Sequence, residues 1–481
     1  MFLNFDRNSK LFISLGLVLF FLIVREAILI PLTHDEYSTI MVSYQSIFDI
    51  ITYKDPIPNN HILNTILLKL NIITFGDHLF SNRLHNVLSF LIYYYFAVLI
   101  AKKLSSNTLP QLLFVSMIVF QPYLLDFFCV TRGYGLSVTL QLVSLYYAII
   151  YYSENTSKSL YFSLLFGAVS VLANFTLLNY YLPLCGVLMT YSFISNRKTN
   201  TKKLRNEISA LFIISLLLGV VCYLPFSKMV STNQFVFWSS NNFFSDTIIP
   251  LFQSLRSGIP YLNIDPKNFA SGFLIFIFTL QILIFVLEGT KIFKHYSYFF
   301  STLLLLLVII YNNLQFYIVN IPFLNSRTSL FFIPIVGLYI FTLFNILTKN
   351  HQHIGKVLYI SLILLCAQHF VRGYNGKANQ EWYFNQSTYN VLDEIMFLVE
   401  SNNLQKPVKI DCHWSYHPSL TYHIDQKYRG ILELLPYHKD TNPESDATFY
   451  YSEANEIDIL NPKFEKIKEF TGNYSLLLRH K

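Results

Sequence analysis

Long apolar runs recur along this chain from residue 11 to residue 371, most of them too long to be read as strands. The first, LFISLGLVLFFLIVREAILI at 11–30, matches the ~20 residues that a helix needs to cross the hydrocarbon core of a bilayer. In that medium every backbone N–H and C=O must be satisfied internally, which leaves helices or a closed barrel. The blocks lack the alternation of barrel strands, so the expected fold class is a polytopic α-helical membrane protein. Composition agrees: 53% of the residues are hydrophobic and only 13% are charged, a balance that excludes disorder and an ordinary soluble enzyme.

Length and charge place about eleven transmembrane helices. They fall near 11–30, 86–101, 108–126, 134–152, 161–177, 179–195, 208–226, 268–287, 298–317, 329–346 and 356–371. The formal charge of +7 raises nucleic acid as a partner, but the basic residues lie mainly in short loops between spans. Arg7, Lys10, Lys102, Lys103, Arg197, Lys198, Lys202, Lys203 and Arg205, then Lys291, Lys294, Lys349 and Lys356, recur on alternate loops. Positive loops favour the cytoplasmic side, so topology explains the charge and nucleic acid is excluded. The N-terminus is expected inside and, with an odd span count, the C-terminus outside. Five scattered cysteines without C-x-x-C spacing argue against a disulfide framework or zinc ribbon.

Two stretches break the apolar rhythm. Residues 31–85 form an external loop in which His61–Lys69 has the spacing of an amphipathic interfacial helix. Beyond residue 372 the apolar blocks stop, and about 110 residues of mixed character suit a small extracytoplasmic α/β domain with strands near 407–412 and 446–452. The expected division is therefore 1–371, a transmembrane domain that includes the 31–85 loop, and 372–481, the C-terminal domain. The other external segment, around 227–266, is polar and aromatic, with Trp238, Asp246 and Arg256.

The candidate chemistry gathers on the external side. Asp35 and Glu36 follow the first span in His34-Asp35-Glu36-Tyr37, where a carboxylate can act as general base towards an acceptor hydroxyl. The same pair offers oxygen ligands to a divalent metal ion, although a complete ligand set is not visible. A helix-end charge anchoring the interface is the plainer alternative. Pro58-Asn59-Asn60-His61 leads into the interfacial helix, and its amides and imidazole suit sugar hydroxyls, or alternatively a helix cap. Thr131-Arg132-Gly133-Tyr134 and Asn320–Arg327 each bring an arginine to the external surface, where a guanidinium can hold a lipid phosphate or simply snorkel to headgroups. Asp411, His413, His417 and His423 form a histidine-rich stretch whose flanking Trp414, Tyr416 and Pro418 favour a packed segment over a metal face.

These landmarks together resemble a known family. An early span, an Asp-Glu pair at its external end, a Pro/Asn/His entry to a surface helix and then FGDHLFSNRLHNVLSF look like the GT-C glycosyltransferases. Within them the chain is most similar to the family 39 type, which includes protein O-mannosyltransferases, with the lipid A aminoarabinose transferase as a related member. TRGYGL and IPFLNSRTSLFFIP match further landmarks of bacterial members, and the resemblance spans about residues 10–345. It implies a hexosyl- or pentosyltransferase that uses a polyprenyl-phosphate sugar donor on the external face, with inversion. By this likeness Asp35 is the catalytic base or a metal-associated acid, and Glu36 orients or coordinates beside it. Arg132 and Arg327 meet the donor phosphate, and His34, Asn59, Asn60, His61 and Tyr134 are left for acceptor or sugar. Many relatives have His/Pro/Pro or Lys/Pro/Pro where this chain has Pro58-Asn59-Asn60-His61, which leaves the acceptor open among glycan, lipid and protein. Besides membrane lipids no other partner is implied, and the bacterial landmarks point to an inner (plasma) membrane. A transporter or flippase of lipid-linked substrates and a non-catalytic membrane scaffold are the alternatives. Transporters often carry paired repeats, and none is evident here.

Overall fold

The computed structural model describes residues 7–234, 242–256, 264–349, 352–470, 472 and 474–481; Trp238 lies outside them. The first span is α1 (Arg7–Leu29), which stops just before Pro31, a residue that cannot continue the hydrogen-bond ladder. The expected external loop is mostly helical: α2 (His34–Ser43), α3 (Ile47–Ile51) and α4 (Ile62–Phe75). α4 is the interfacial helix expected from the sequence, and it ends at Gly76, whose φ of +84° suits a residue without a Cβ.

From α5 (Leu79–Leu104) onward the chain runs back and forth. One expected span is not a single helix. α6 (Thr108–Val119) breaks before α7 (Pro122–Asp126), because Pro122 forces Gln121 out of the helical region, to φ −118° and ψ 95°. There follow α8 (Gly133–Glu154), α9 (Ser157–Ala173), α10 (Leu178–Asn196), α11 (Thr201–Ser231) and the short α12 (Ile249–Leu255). The bundle closes with α13 (Pro266–Glu288), α14 (Tyr296–Val319), α15 (Phe332–Thr348) and α16 (Gln352–Gly373). Each of the expected spans thus holds a helix, and among the described residues eight helices are long and apolar enough to cross a membrane. α6, α9 and α15 are shorter, at 12, 17 and 17 residues. The chain is a multi-pass membrane protein. Its largest core joins α1, α5, α6, α8, α9, α10 and α15 through buried residues such as Tyr93, Phe114, Phe128, Leu142 and Tyr180.

After α16 comes α17 (Thr388–Ser401), then β1 (Val408–Cys412), α18 (His417–His423), β2 (Leu432–Leu434), β3 (Phe449–Glu453), α19 (Ile457–Leu460), β4 (Phe464–Phe470) and β5 (Ser475–His480). The strands form one sheet in the order β2-β1-β3-β5-β4. β1 lies parallel to both β2 and β3, and β5 runs antiparallel to β3 and β4. Both expected strands are present, as β1 and β3. α18 ties this unit to the exit of α1: Ser419 Oγ donates to the Leu32 carbonyl at 2.6 Å, and the Leu32 N–H donates to His423 Nε2 at 3.1 Å.

Candidate active site

The end of the bundle that meets the C-terminal sheet holds both carboxylates of the Asp-Glu pair, but it separates them. They are consecutive on α2, so they project about 100° apart around the helix. Glu36 turns inward and is fully buried. It accepts from Arg83 Nε at 2.8 Å and Nη2 at 2.6 Å, from the Thr33 N–H at 2.9 Å and from the Thr131 N–H at 2.7 Å. Arg83, also fully buried, uses its remaining N–H groups on the Ala27, Ile30 and Pro31 carbonyls at the exit of α1. The carboxylate has no lone pair to spare and the guanidinium no free donor. Glu36 is therefore fully engaged by the protein and buried, whereas an orienting or coordinating role beside Asp35 is what the sequence leads one to expect of it.

Asp35 turns the other way, to a place where its side chain is 13% exposed. Its Oδ2 lies 3.6 Å from Arg132 Nη2 and 3.4 Å from Arg327 Nη2, and it has no hydrogen-bond partner. Burial alone would raise the Asp35 pKa. The charges of Arg132 and Arg327, with help from His34 and an Asn59 hydrogen bond, bring it below the ordinary aspartate value. The two arginines reach this point from distant segments. Arg132 precedes α8, is 1% exposed, and donates to Thr39 Oγ1 at 2.9 Å and to the Asn59 carbonyl at 3.3 Å. Arg327 precedes α15 and donates through Nε to the Tyr134 hydroxyl at 3.3 Å.

The glycines of the TRGYGL motif make this approach feasible. A Cβ on Gly133 would stand 2.0 Å from the Ala173 carbonyl oxygen and 2.8 Å from His61 Cγ, and one on Gly135 would stand 2.6 Å from the Phe127 carbonyl oxygen. Only bare backbone lets the start of α8 sit against His61 and the end of α9.

The remaining expected residues divide. His61 packs edge-on against Tyr134 at 5.4 Å, and its Nε2 is buried without a partner. Burial, then the charges of Arg132 and Arg327, hold the His61 pKa well below the usual imidazole value, so the ring is neutral. His61 and Tyr134 line a cavity of about 600 Å³ that also takes in Asn174, Asn179, Gln315 and Asn320. Leu178, Phe226 and Val230 are shared between this cavity and an apolar groove of about 730 Å³ between α10 and α11. Asn59 sits between Arg132 and Asp35, as an amide at the site should. Asn60, by contrast, is structural: it is 1% exposed, its amide donates to the Ile50 carbonyl at 2.9 Å, and its own carbonyl accepts from the Tyr53 hydroxyl. His34 faces the C-terminal sheet, its Nδ1 lying 3.1 Å from the Ser415 carbonyl.

Sequence reasoning missed Glu381 and Trp382. Glu381 is paired with Arg327 Nη1 and accepts from the Tyr123 hydroxyl, while the Arg327 guanidinium lies 5.4 Å from the centre of the Trp382 ring. No spacing or motif marks that segment, which lies outside the stretch that carries the resemblance. The donor set also does not suit a divalent metal. Glu36 is saturated, Asp35 is flanked by two cations, and among the described residues no group of three His, Cys, Asp or Glu side chains stands ready to hold an ion.

Fold and site define a multi-pass helical membrane protein with an arginine-flanked carboxylate at one end of its bundle. No family model and no curated protein matches the chain. Among solved structures it is similar to ArnT from Cupriavidus metallidurans in the apo state, with 9% identity, a TM-score of 0.49, and coverage of 98% of this chain and 97% of that one. It is likewise similar to ArnT from Cupriavidus metallidurans bound to undecaprenyl phosphate, with 10% identity, a TM-score of 0.48 and the same coverage.

Proposed function

We propose that this chain is an integral membrane glycosyltransferase. In this reading it moves a hexosyl or pentosyl group from a polyprenyl-phosphate donor to an acceptor hydroxyl, with inversion. The observation that carries the reading is Asp35 Oδ2, without a hydrogen-bond partner and within 3.6 Å of two guanidinium groups. The cavity that reaches Arg327 through Tyr134 is mainly apolar but carries His61, Asn174, Asn179, Gln315 and Asn320, polar groups that suit a sugar, and the adjoining apolar groove suits an isoprenoid tail. Membrane lipids surround both.

The chemistry follows from partner exchange. Arg132 and Arg327 neutralise Asp35 in the resting site; when the donor phosphate enters, the same guanidinium groups turn to its oxygens. That withdraws positive charge from Asp35 and makes it a better base. The acceptor O–H then gives its proton to Asp35 as its oxygen attacks the anomeric carbon. The bond from that carbon to the phosphate oxygen breaks, and the arginines hold the charge that develops on the leaving phosphate. Neutral His61 and Tyr134 hydrogen-bond sugar hydroxyls, while Glu36 acts at a distance, as the anchor that fixes α2 against Arg83. No step involves a metal ion.

Orientation belongs to the same reading. The lysines at the ends of α5 and α15 support a cytoplasmic N-terminus and hence an extracytoplasmic C-terminal sheet, and to this reading belong a division near residue 371 and a bacterial inner (plasma) membrane. The test is release of sugar from labelled polyprenyl-phosphate sugars by purified protein and by Asp35→Asn, side by side. Release from one donor that is lost in the variant supports the reading. Lipid flux across vesicles without sugar release would replace it with a transporter.

A further inference from the structure

The carboxyl ends of β1, β2 and β3 meet at one edge of the C-terminal sheet. The chain leaves β1, adds β2 on one side and later returns to add β3 on the other, all three parallel. Such a reversal of strand order opens a crevice beyond the strand ends, the usual place for a ligand in an α/β sheet. The residues there are rich in polar groups. Asp411 is the last but one residue of β1, with His413 and His417 beyond the strand; Tyr437 and His438 follow β2; Glu453 ends β3 and Glu456 follows it. Their contacts tie them into one group. His438 Nε2 is 2.6 Å from Asp411 Oδ1, and His413 lies 3.6 Å from Glu453 and 3.9 Å from Glu456. The ring of His417 meets that of Tyr437 at 5.5 Å.

Two further observations point to a ligand. Asp411 is 1% exposed, and its Oδ2 has no hydrogen-bond partner, a buried acceptor left unsatisfied beside the Oδ1 that meets His438. The segment beyond β1 also leads straight to the candidate active site. The Ser415 carbonyl is 3.1 Å from His34 Nδ1, and the half-exposed Trp414 ring stands edge-on to His34 at 5.5 Å, one residue from Asp35.

We infer that this crevice is the acceptor subsite, and that it takes a glycan, neutral or amine-bearing, whose hydroxyl is presented to Asp35. His417 and His438 are held by protein partners, but Asp411 Oδ2, His413 Nε2 and the exposed Glu453 carboxylate keep capacity for sugar hydroxyls, and Trp414 and Tyr437 offer apolar faces to a ring. Glu453 at the rim, with Glu456 buried behind it, disfavours an anionic acceptor. The acceptor role rests on the glycosyltransferase reading; binding itself does not.

The experiment is calorimetric titration of the full-length protein in nanodiscs with chitotetraose and with its deacetylated glucosamine tetramer. The expected result is binding of the tetramer at least as tight as that of chitotetraose, weakened tenfold or more by Asp411→Asn and less by Glu453→Gln and Trp414→Ala. The last two side chains are partly exposed, so their loss leaves the sheet folded. Asp35→Asn should bind the tetramer like wild type, so failure of the transferase reading leaves this result standing. Absence of binding to both sugars, or binding unchanged in all three crevice variants, would overturn the assignment.

Discussion

Asp35 and Glu36 share a turn of α2, and each meets arginine, yet the two ion pairs differ in completeness. Around Glu36 every lone pair and every Arg83 N–H has a protein partner, and neither side chain is exposed. Around Asp35 the distances are longer, an oxygen lacks a hydrogen-bond partner, and so does Arg132 Nε. A closed buried pair fixes geometry, because removal of either partner strands a charge in a dry interior. An open one keeps capacity for an anion and a proton. Under the proposed function the contrast divides the labour: stability for Glu36 and turnover for Asp35.

The sharpest way to break that division is to neutralise each acid in turn and read both quantities. Asp35→Asn is expected to lower sugar transfer by about 10²–10⁴-fold, the usual worth of a general base, with a smaller effect on stability. Glu36→Gln leaves Arg83 buried without its counter-charge and is expected to cost about 3–5 kcal/mol, seen as a lower thermal midpoint in detergent. If the two substitutions gave the same profile, the division would be wrong. Next in size is Arg327→Gln, which removes one of the two cations at Asp35. Turnover with a polyprenyl-phosphate donor should fall about a hundredfold, in keeping with the loss of one donor to developing charge.

Much of this contrast was legible before any coordinates. A helix beginning near residue 34 necessarily points residues 35 and 36 in different directions, and consecutive residues on a helix do not face each other. Reading the two acids as one unit overlooked that periodicity. Pro122 was equally visible, and it explains why the span expected at 108–126 is two helices. The convergence of Arg132 and Arg327 on Asp35 follows the resemblance, since each sits in a motif that the sequence displays. Arg83 stands in the landmark FGDHLFSNRLHNVLSF, but its pairing with Glu36, like that of Glu381 with Arg327, had no local signal. Both depend on how remote helices pack, and spacing along the chain does not encode that.

A pH profile sharpens the comparison from the side of Asp35. Its folded pKa is lowered, so the charge–charge contribution to stability is present above the unfolded aspartate value and is lost as pH falls through the folded one. In the free protein kcat/KM should therefore hold until the pH falls below the ordinary aspartate range, as far as Asp35 is concerned. The acidic limb should move to higher pH in Arg327→Gln, where one of the lowering charges is gone. A limb that stays in place would mean that another group titrates.

The smallest expected effect lies at Glu381, which shares Arg327 with Asp35. Its partner Arg327 has a side chain 32% exposed, so water screens the pair from that side and limits its contribution to about 1 kcal/mol. Glu381→Gln does two opposing things. It removes a negative charge near the donor phosphate, which should lower the donor KM up to about fivefold. It also loosens the guanidinium that Glu381, itself held by the Tyr123 hydroxyl, keeps in place, which should lower kcat by a similar factor. Such a split, with kcat/KM nearly unchanged, is what an electrostatic tether on Arg327 produces. A fall in kcat with no change in KM would instead mark Glu381 as a group that acts in the transition state.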